Sequence, residues 1–123
     1  MLNRYRQVDI STASPVMLVV KLYEGAIRQA TEARVHAEAS RIPERARAIG
    51  KALAIVGELQ SSLDLERGGE VGENLHNLYG FVTDRLLDAN LNGHTESIDE
   101  AVGVLSTLVE GWREIAQGGG QQS

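Results

Sequence analysis

Apolar side chains recur along this chain at intervals of three and four, the period of an α-helix, and no segment alternates with the period of a strand over a useful length. The densest run is Ser14-Pro-Val-Met-Leu-Val-Val-Lys-Leu-Tyr23. Pro15 suits a first helical position, where its missing amide is no loss, and Ser14 before it can cap a free N–H. Val19, Leu22, Tyr23, Ala26 and Ala30 then form the core-facing stripe of a first helix running to about Ala39. Met17, Val20 and Ile27 fall outside it. At about 100° per residue, Val20 and Ile27 widen one edge of the stripe and Met17 lies near the opposite face. One stripe is enough for a bundle helix. The surplus predicts that this helix buries a second side, under its own chain or under a partner.

Pro43 opens a second helix with Ala46, Ile49, Leu53, Val56 and Leu63 on its stripe, widened by Ala48, Ala52, Ile55 and Leu59. Gly68-Gly69 reads as its stop, because glycine takes the left-handed cap conformation at little cost. A third helix carries Val71, Leu75, Leu78, Val82, Leu86 and Ala89 and ends at Asn92-Gly93. In a fourth, Ile98, Ala101, Val102, Leu105, Leu108, Val109 and Trp112 share a face. Ser97-Ile-Asp-Glu100 matches a capping box for it, with Thr95 as an alternative start. Residues 1–14 have no period and read as an extended arm holding Leu2, Tyr5, Val8 and Ile10; residues 118–123 read as a disordered tail. Four helices with short connections imply antiparallel neighbours. The expected fold is all-α, an antiparallel up-down four-helix bundle over residues 15–117. Gly50, Gly57, Gly103 and Gly111 interrupt helix interiors, each at roughly 1 kcal/mol relative to alanine. They read either as tolerated drift or as marks of close helix approach or a shallow groove, the latter in keeping with Ala26, Ala30, Ala33 and Ala37 on the first helix.

Composition narrows the function more than the fold. The 123 residues make one domain, and aromatics are only 4%, so aliphatic and alanine packing must fill its core. A net charge of −5 argues against a nucleic-acid partner, whose phosphates call for a basic patch. The absence of cysteine removes disulfides and thiol chemistry and fits a reducing cytosol. The N-terminus shows no secretory signal, and no apolar run is long enough to insert in a bilayer.

Catalytic chemistry is not in view. Glu73-x-x-His76 has the spacing of a ferritin-like metal motif, but such sites need two copies and further glutamates facing the core. Here there is one copy, and both residues lie away from the apolar stripe of the third helix, so surface positions explain them. Glu32 and His36 form an i,i+4 pair on a polar face. His94 sits in a loop without an evident co-ligand. Gly68-Gly69 lacks the spacing and lysine of a phosphate loop. Arg41, Arg45 and Arg47 are interleaved with Glu44 and read as a solvated helix start. No cofactor is expected, and a metal–carboxylate enzyme is the weakest of the readings; a binding or structural module is the stronger one.

Several phrases in order point further: Tyr5-x-x-Val8, Ser11-Thr-Ala-Ser-Pro15, Leu22-Tyr-Glu-Gly-Ala-Ile27, Leu63-Asp-Leu-Glu-Arg-Gly-Gly69, Asn74-Leu75, Leu78-Tyr79, Ala89-Asn90 and Trp112. Over about Tyr5 to Ile115 the chain resembles the flagellin-specific export chaperones of the FliS family. It departs at Glu24, where the family usually has Asp, and at Gly72, where a larger small residue is usual. The resemblance implies a cytosolic bacterial chaperone, not an enzyme. It would bind the disordered C-terminal segment of flagellin, which folds into helices around the bundle, block premature polymerisation and deliver the cargo to the type III export apparatus and its membrane export gate. It also implies that the arm can cover part of the cargo groove when cargo is absent. Free protein is expected as a monomer or weak dimer. Helix-in-groove recognition needs exposed apolar anchors. The candidates are Met17, Val20, Leu22, Tyr23 and Ile27 on the first helix, Ile55 and Leu59 on the second, and Tyr79, Leu87 and Leu91 on the third, together with Tyr5, Val8 and Ile10 of the arm. Two alternatives are an export chaperone for another flagellar subunit, such as the filament cap, and a self-associating structural bundle.

Overall fold

Pro15 opens helix α1 (Pro15–Glu38), and Ser40 ends it with a positive φ of 58° while the Arg41 N–H returns to the His36 carbonyl. Helix α2 spans Ile42–Ser61, α3 Leu65–Asn92 and α4 Thr95–Gln122. The computed structural model describes residues 15–122, with side chains through Gly118. The arm expected over residues 1–14 lies outside them. Helix α1 packs against α2 and α4, and α3 against the same two, so the four helices ring one core. Neighbours run in opposite senses. Arg34, late in α1, bonds the Thr95 carbonyl and Asp99 early in α4, and Arg45, early in α2, bonds the Asn90 carbonyl late in α3. The fold is the antiparallel four-helix bundle that the pattern predicts.

Three boundaries differ from the pattern. Helix α2 stops at Ser61, not at Gly68-Gly69. The Ser61 and Ser62 hydroxyls donate back to the Glu58 and Leu59 carbonyls, and Asp64 accepts the Arg67 N–H, so α3 is capped before the glycines are reached. Leu63 therefore lies in the break rather than on the α2 stripe, though it still packs on the core. Gly69 (φ 57°, ψ −136°) kinks α3 after its first turn. Helix α4 starts at Thr95, the alternative start that the sequence offered, and the Ser97 hydroxyl donates across the corner to Asp88. The α4 backbone continues to Gln122, past the expected end at Gln117, because each added helical residue gains a backbone hydrogen bond that offsets part of glycine's cost.

The core is built mostly from aliphatic and small side chains. Ala26, Ala30 and Ala33 of α1 and Ala48 and Ala52 of α2 are buried with Ile49, Val56, Val82, Leu86, Ile98, Leu105 and Val109. The apolar surplus of α1 is spent largely inside the chain, since α1 has two neighbours and a wide stripe serves both. Close approach occurs at a glycine other than the four singled out above. A Cβ on Gly25 would lie 3.3 Å from Ile55 Cδ1, whereas one on Gly50, Gly57, Gly103 or Gly111 would meet nothing within 4 Å. The Arg41-Arg45-Arg47 cluster is also not simply solvated. Arg45 Nη2 donates to the Asn90 carbonyl at 2.8 Å, and its Nε is buried without a partner. That guanidinium sits where the carbonyl end of α3 favours positive charge.

The α3–α4 corner converges on Asp88. Its carboxylate accepts from Ser97 Oγ, from Asn92 Nδ2 at 2.8 Å, and lies 3.0 Å from His94 Nδ1. Hydrogen bonds from Ser97, Asn92 and His94 hold it well below the ordinary carboxylate range. His94 thus has a polar partner that its loop position in the sequence did not suggest. A carboxyl whose folded pKa is depressed stabilises the fold above its unfolded pKa, and that stability is lost as pH falls through the folded value. Asp88→Ala should therefore lower Tm at neutral pH, and the gap to the parent protein should close as pH drops below about 4, the ordinary Asp range. Thermal melts across pH test this; a gap that stays constant into acid would mean that the charge is not what holds the corner.

Candidate functional site

The thirteen residues expected to contact a partner separate into four groups. Val20, Tyr23, Leu59 and Tyr79 are core residues, Val20 only 2% exposed, and of these Leu59 and Tyr79 reach the surface only as the floor of a groove. Leu22, Ile27 and Ile55 are half-buried and pack against that core. Met17, Leu87 and Leu91 are exposed, Leu91 the most at 80%. Tyr5, Val8 and Ile10 lie outside the described residues. The burial of Val20 has a physical cause. It lies at a stripe edge, and an edge is core or surface according to where the neighbouring helix sits, which periodicity alone does not say.

Two apolar grooves flank α3. The first, about 470 Å³, runs between α3 and α4 and is lined by Leu78, Phe81, Val104, Thr107 and Leu108, with Gly103 and Glu100 at its edge. Phe81 is 41% exposed, and the Arg85 guanidinium stands 5.9 Å from its ring centroid. Arg85 in turn reaches Glu100 at 3.9 Å. Open space beside Gly103 makes it a groove glycine, one of the two readings its position allowed. The chain's single Phe, a full quarter-turn from Val82 on α3, was the sequence signal for this groove.

The second groove, about 370 Å³, lies at one end of the bundle between the start of α1, the end of α2 and the start of α3. Val16, Val19, Leu59, Leu63, Val71 and Leu75 line it, with Tyr79 and Trp112 below. Its base is stiffened by aromatic contacts. The Tyr23 and Tyr79 hydroxyls are hydrogen-bonded to each other across the core, and the Tyr23 ring centroid lies 6.2 Å from that of Tyr79 and 6.5 Å from that of Trp112. Burial pushes the Tyr23 phenol above its ordinary value, against the opposing pull of its hydrogen bonds to Tyr79 and Trp112. It stays neutral and serves as a hydrogen-bonding group, which meets the requirement that buried polar atoms be paired. Tyr23 and Tyr79 thus shape a groove from behind.

Polar chemistry is confined to the rims. Glu73 and His76 are both exposed, and His76 Nδ1 lies 3.3 Å from Gln60 Nε2. His36 Nδ1 accepts from Arg41 Nε rather than facing Glu32. Among the described residues no three His, Asp or Glu side chains are grouped to hold a metal ion, and no helix is long and apolar enough to cross a membrane. Ion pairs such as Arg113–Glu24, at 3.0 Å, tie α4 to α1 at partly exposed sites. What the surface offers is apolar concavity on both sides of one helix, suited to binding extended or helical chain.

Comparison with known proteins agrees with that character. The family described as flagellar protein FliS matches residues 1–119. The chain is 38% identical over 119 residues to the flagellar secretion chaperone FliSB of Pseudomonas aeruginosa, covering 94% of each chain. It is 35% identical over 120 residues to the flagellar secretion chaperone FliS of Salmonella typhimurium, covering 94% of this chain and 89% of that one. Among solved structures, a flagellar chaperone from bacteria shares the fold with a TM-score of 0.79 at 22% identity, over 94% of both chains. With a family match over nearly its whole length and relatives above 30% identity along the same span, the chain belongs to the FliS family of flagellar secretion chaperones.

Proposed function

We propose that this protein binds the C-terminal segment of flagellin in the bacterial cytosol, keeps it from polymerising early, and carries it to the type III export apparatus and its membrane gate. It acts by binding, without catalysis or a cofactor. The observation that carries this reading is the pair of apolar grooves on either side of α3 in a bundle whose core is already complete. A disordered segment that folds on binding must offset an ordering cost of about 2–5 kcal/mol or more by burying a large surface, and one pocket would not suffice. Two grooves, one on each side of α3, supply the length, and exposed Met17, Leu87 and Leu91 add apolar surface outside them. Titration with purified flagellin should give a one-to-one complex. Capture of the filament cap protein in preference to flagellin would shift the cargo, and concentration-dependent dimers that ignore both would favour a structural bundle.

The arm enters this reading as a competitor. Pro15, to which it is joined, lines the second groove. A tethered segment has a high effective concentration, so weak docking of Tyr5, Val8 and Ile10 would cover the groove, and cargo would have to displace it. Trimming residues 1–10 should speed flagellin association and raise binding of a hydrophobic dye. Slower association or weaker affinity of the trimmed protein would instead make the arm a direct contact.

A further inference from the structure

The outer wall of the second groove differs from its other walls. Residues 64–71 are all exposed, including two large apolar side chains, Leu65 and Val71, while Gly72 next to them is buried. The first part of this segment lies between two breaks in the helical backbone. One is the turn after Ser61, and the other is Gly69, whose φ of 57° and ψ of −136° belong to a region that only glycine occupies without strain. Between them lies a single helical turn, Leu65–Gly68. The hydrogen bonds described for it are local, from the Arg67 N–H to Asp64 Oδ1 at 3.2 Å and from the Gly68 N–H to the Asp64 carbonyl at 2.7 Å. Asp64, Arg67 and Gly68 nevertheless line the groove opposite Tyr79 and Trp112. The start of the turn lies against Gly72, where an added Cβ would stand 3.7 Å from the Asp64 carbonyl oxygen, 3.8 Å from Leu65 Cδ2 and 4.0 Å from Leu65 Cα, so Leu65 is seated where Gly72 has no side chain.

We infer that the turn Leu65–Gly68 is a hinged wall of the second groove, closed when Leu65 sits on Gly72 and opened by rotation at Gly69 to widen the groove over Trp112. A segment with few buried contacts, local hydrogen bonds and hinges at both ends opens at low free-energy cost, whereas the helices around it open only with the fold. Opening does not disturb the Tyr23–Tyr79 bond, which lies behind the groove. Val71, just past the hinge on the body of α3, lines the groove beside the wall and gives whatever enters an apolar contact. This deepens the cargo reading and rests on it for the identity of the occupant, but the motion belongs to the free protein and is measurable there.

The chain has no cysteine, so one introduced pair gives an unambiguous lock. Leu65→Cys with Gly72→Cys places two thiols within reach of a disulfide. Trp112, the single tryptophan, reports access to the groove. Oxidation of this variant should reduce acrylamide quenching of Trp112 and binding of an apolar dye, and slow capture of a synthetic flagellin C-terminal segment by about tenfold, as expected when the competent state is held to a small fraction. Reduction of the same sample should restore all three. Gly69→Ala, which strains the closed hinge, should move quenching and dye binding the opposite way. In the native protein, hydrogen exchange at Leu65–Val71 should be much faster than around Val56 and Val82. Equal quenching and dye binding in oxidised and reduced protein, or amides at 65–71 as protected as those near Val82, overturns the hinge. A lock that gates dye while neither form captures the flagellin segment supports the hinge and overturns the cargo reading.

Discussion

Phe81→Asp combined with Val71→Asp should abolish capture of flagellin while the bundle still melts cooperatively. Each residue projects from α3 into a different groove and is substantially exposed, 41% for Phe81 and 69% for Val71, so the fold does not depend on either. Burying a large apolar side chain against cargo is worth about 1.5–3 kcal/mol, and a carboxylate in its place adds a desolvation cost. Two such losses amount to at least about a hundredfold in affinity at 1.4 kcal/mol per decade. Exposed ion pairs contribute about 0–1 kcal/mol each, so raising salt should weaken the complex little. Isothermal titration of the parent and double variant at low and moderate salt decides the matter. If salt strips the cargo and the double variant holds it, rim charges such as Arg85 and Glu100 dominate recognition and the groove account is wrong. The pair suggested by periodicity alone, Val20→Asp with Ile27→Asp, would not test binding. Val20 is enclosed, and a carboxylate there unfolds the bundle that is meant to present the groove.

That contrast marks how far the pattern of residues reaches. The four helices and their antiparallel order follow from period, caps and short connections, because each of those is a local property. The boundaries that failed were settled by competition between signals of the same kind. Gly68-Gly69 can stop a helix, but Ser61, Ser62 and Asp64 come first and satisfy the backbone earlier. Ser97 can cap α4, but the helix already begins at Thr95, which puts Ser97 inside it, where its hydroxyl donates to Asp88 of α3. Surface and core at stripe edges were not decided locally at all. Val20 and Ile27 occupy the same edge of α1, yet one is sealed and the other half open, because the positions of α2 and α4 along α1 set the outcome. The grooves themselves arise between helices. Phe81 off its stripe and Gly103 opposite it are visible in sequence, but nothing short of the packed bundle says that they face each other.

Adding carbon to the two kinds of small residue should have opposite effects, and the larger one threatens the fold. Ala26, Ala30 and Ala33 form a fully enclosed column on α1, the side chains that let α1 lie close to its neighbours in a core poor in aromatics. Ala30→Leu forces three more carbons into that column. Helices packed at this density move apart or take strained rotamers, at a cost of about 1–3 kcal/mol. For a domain of this length that should lower Tm by roughly 5–15 °C. It should also weaken capture, because the second groove takes one wall from α1 at Val16 and Val19 and another from α2 at Leu59, and separating those helices changes its width. Gly50→Ala adds a methyl where nothing lies within 4 Å and removes glycine's helical penalty, so it should raise stability by up to about 1 kcal/mol and leave capture unchanged. Melting and titration of both variants separate the accounts. An Ala30→Leu protein as stable as the parent would mean that the column is slack, and that close packing of α1 is not what sets the groove.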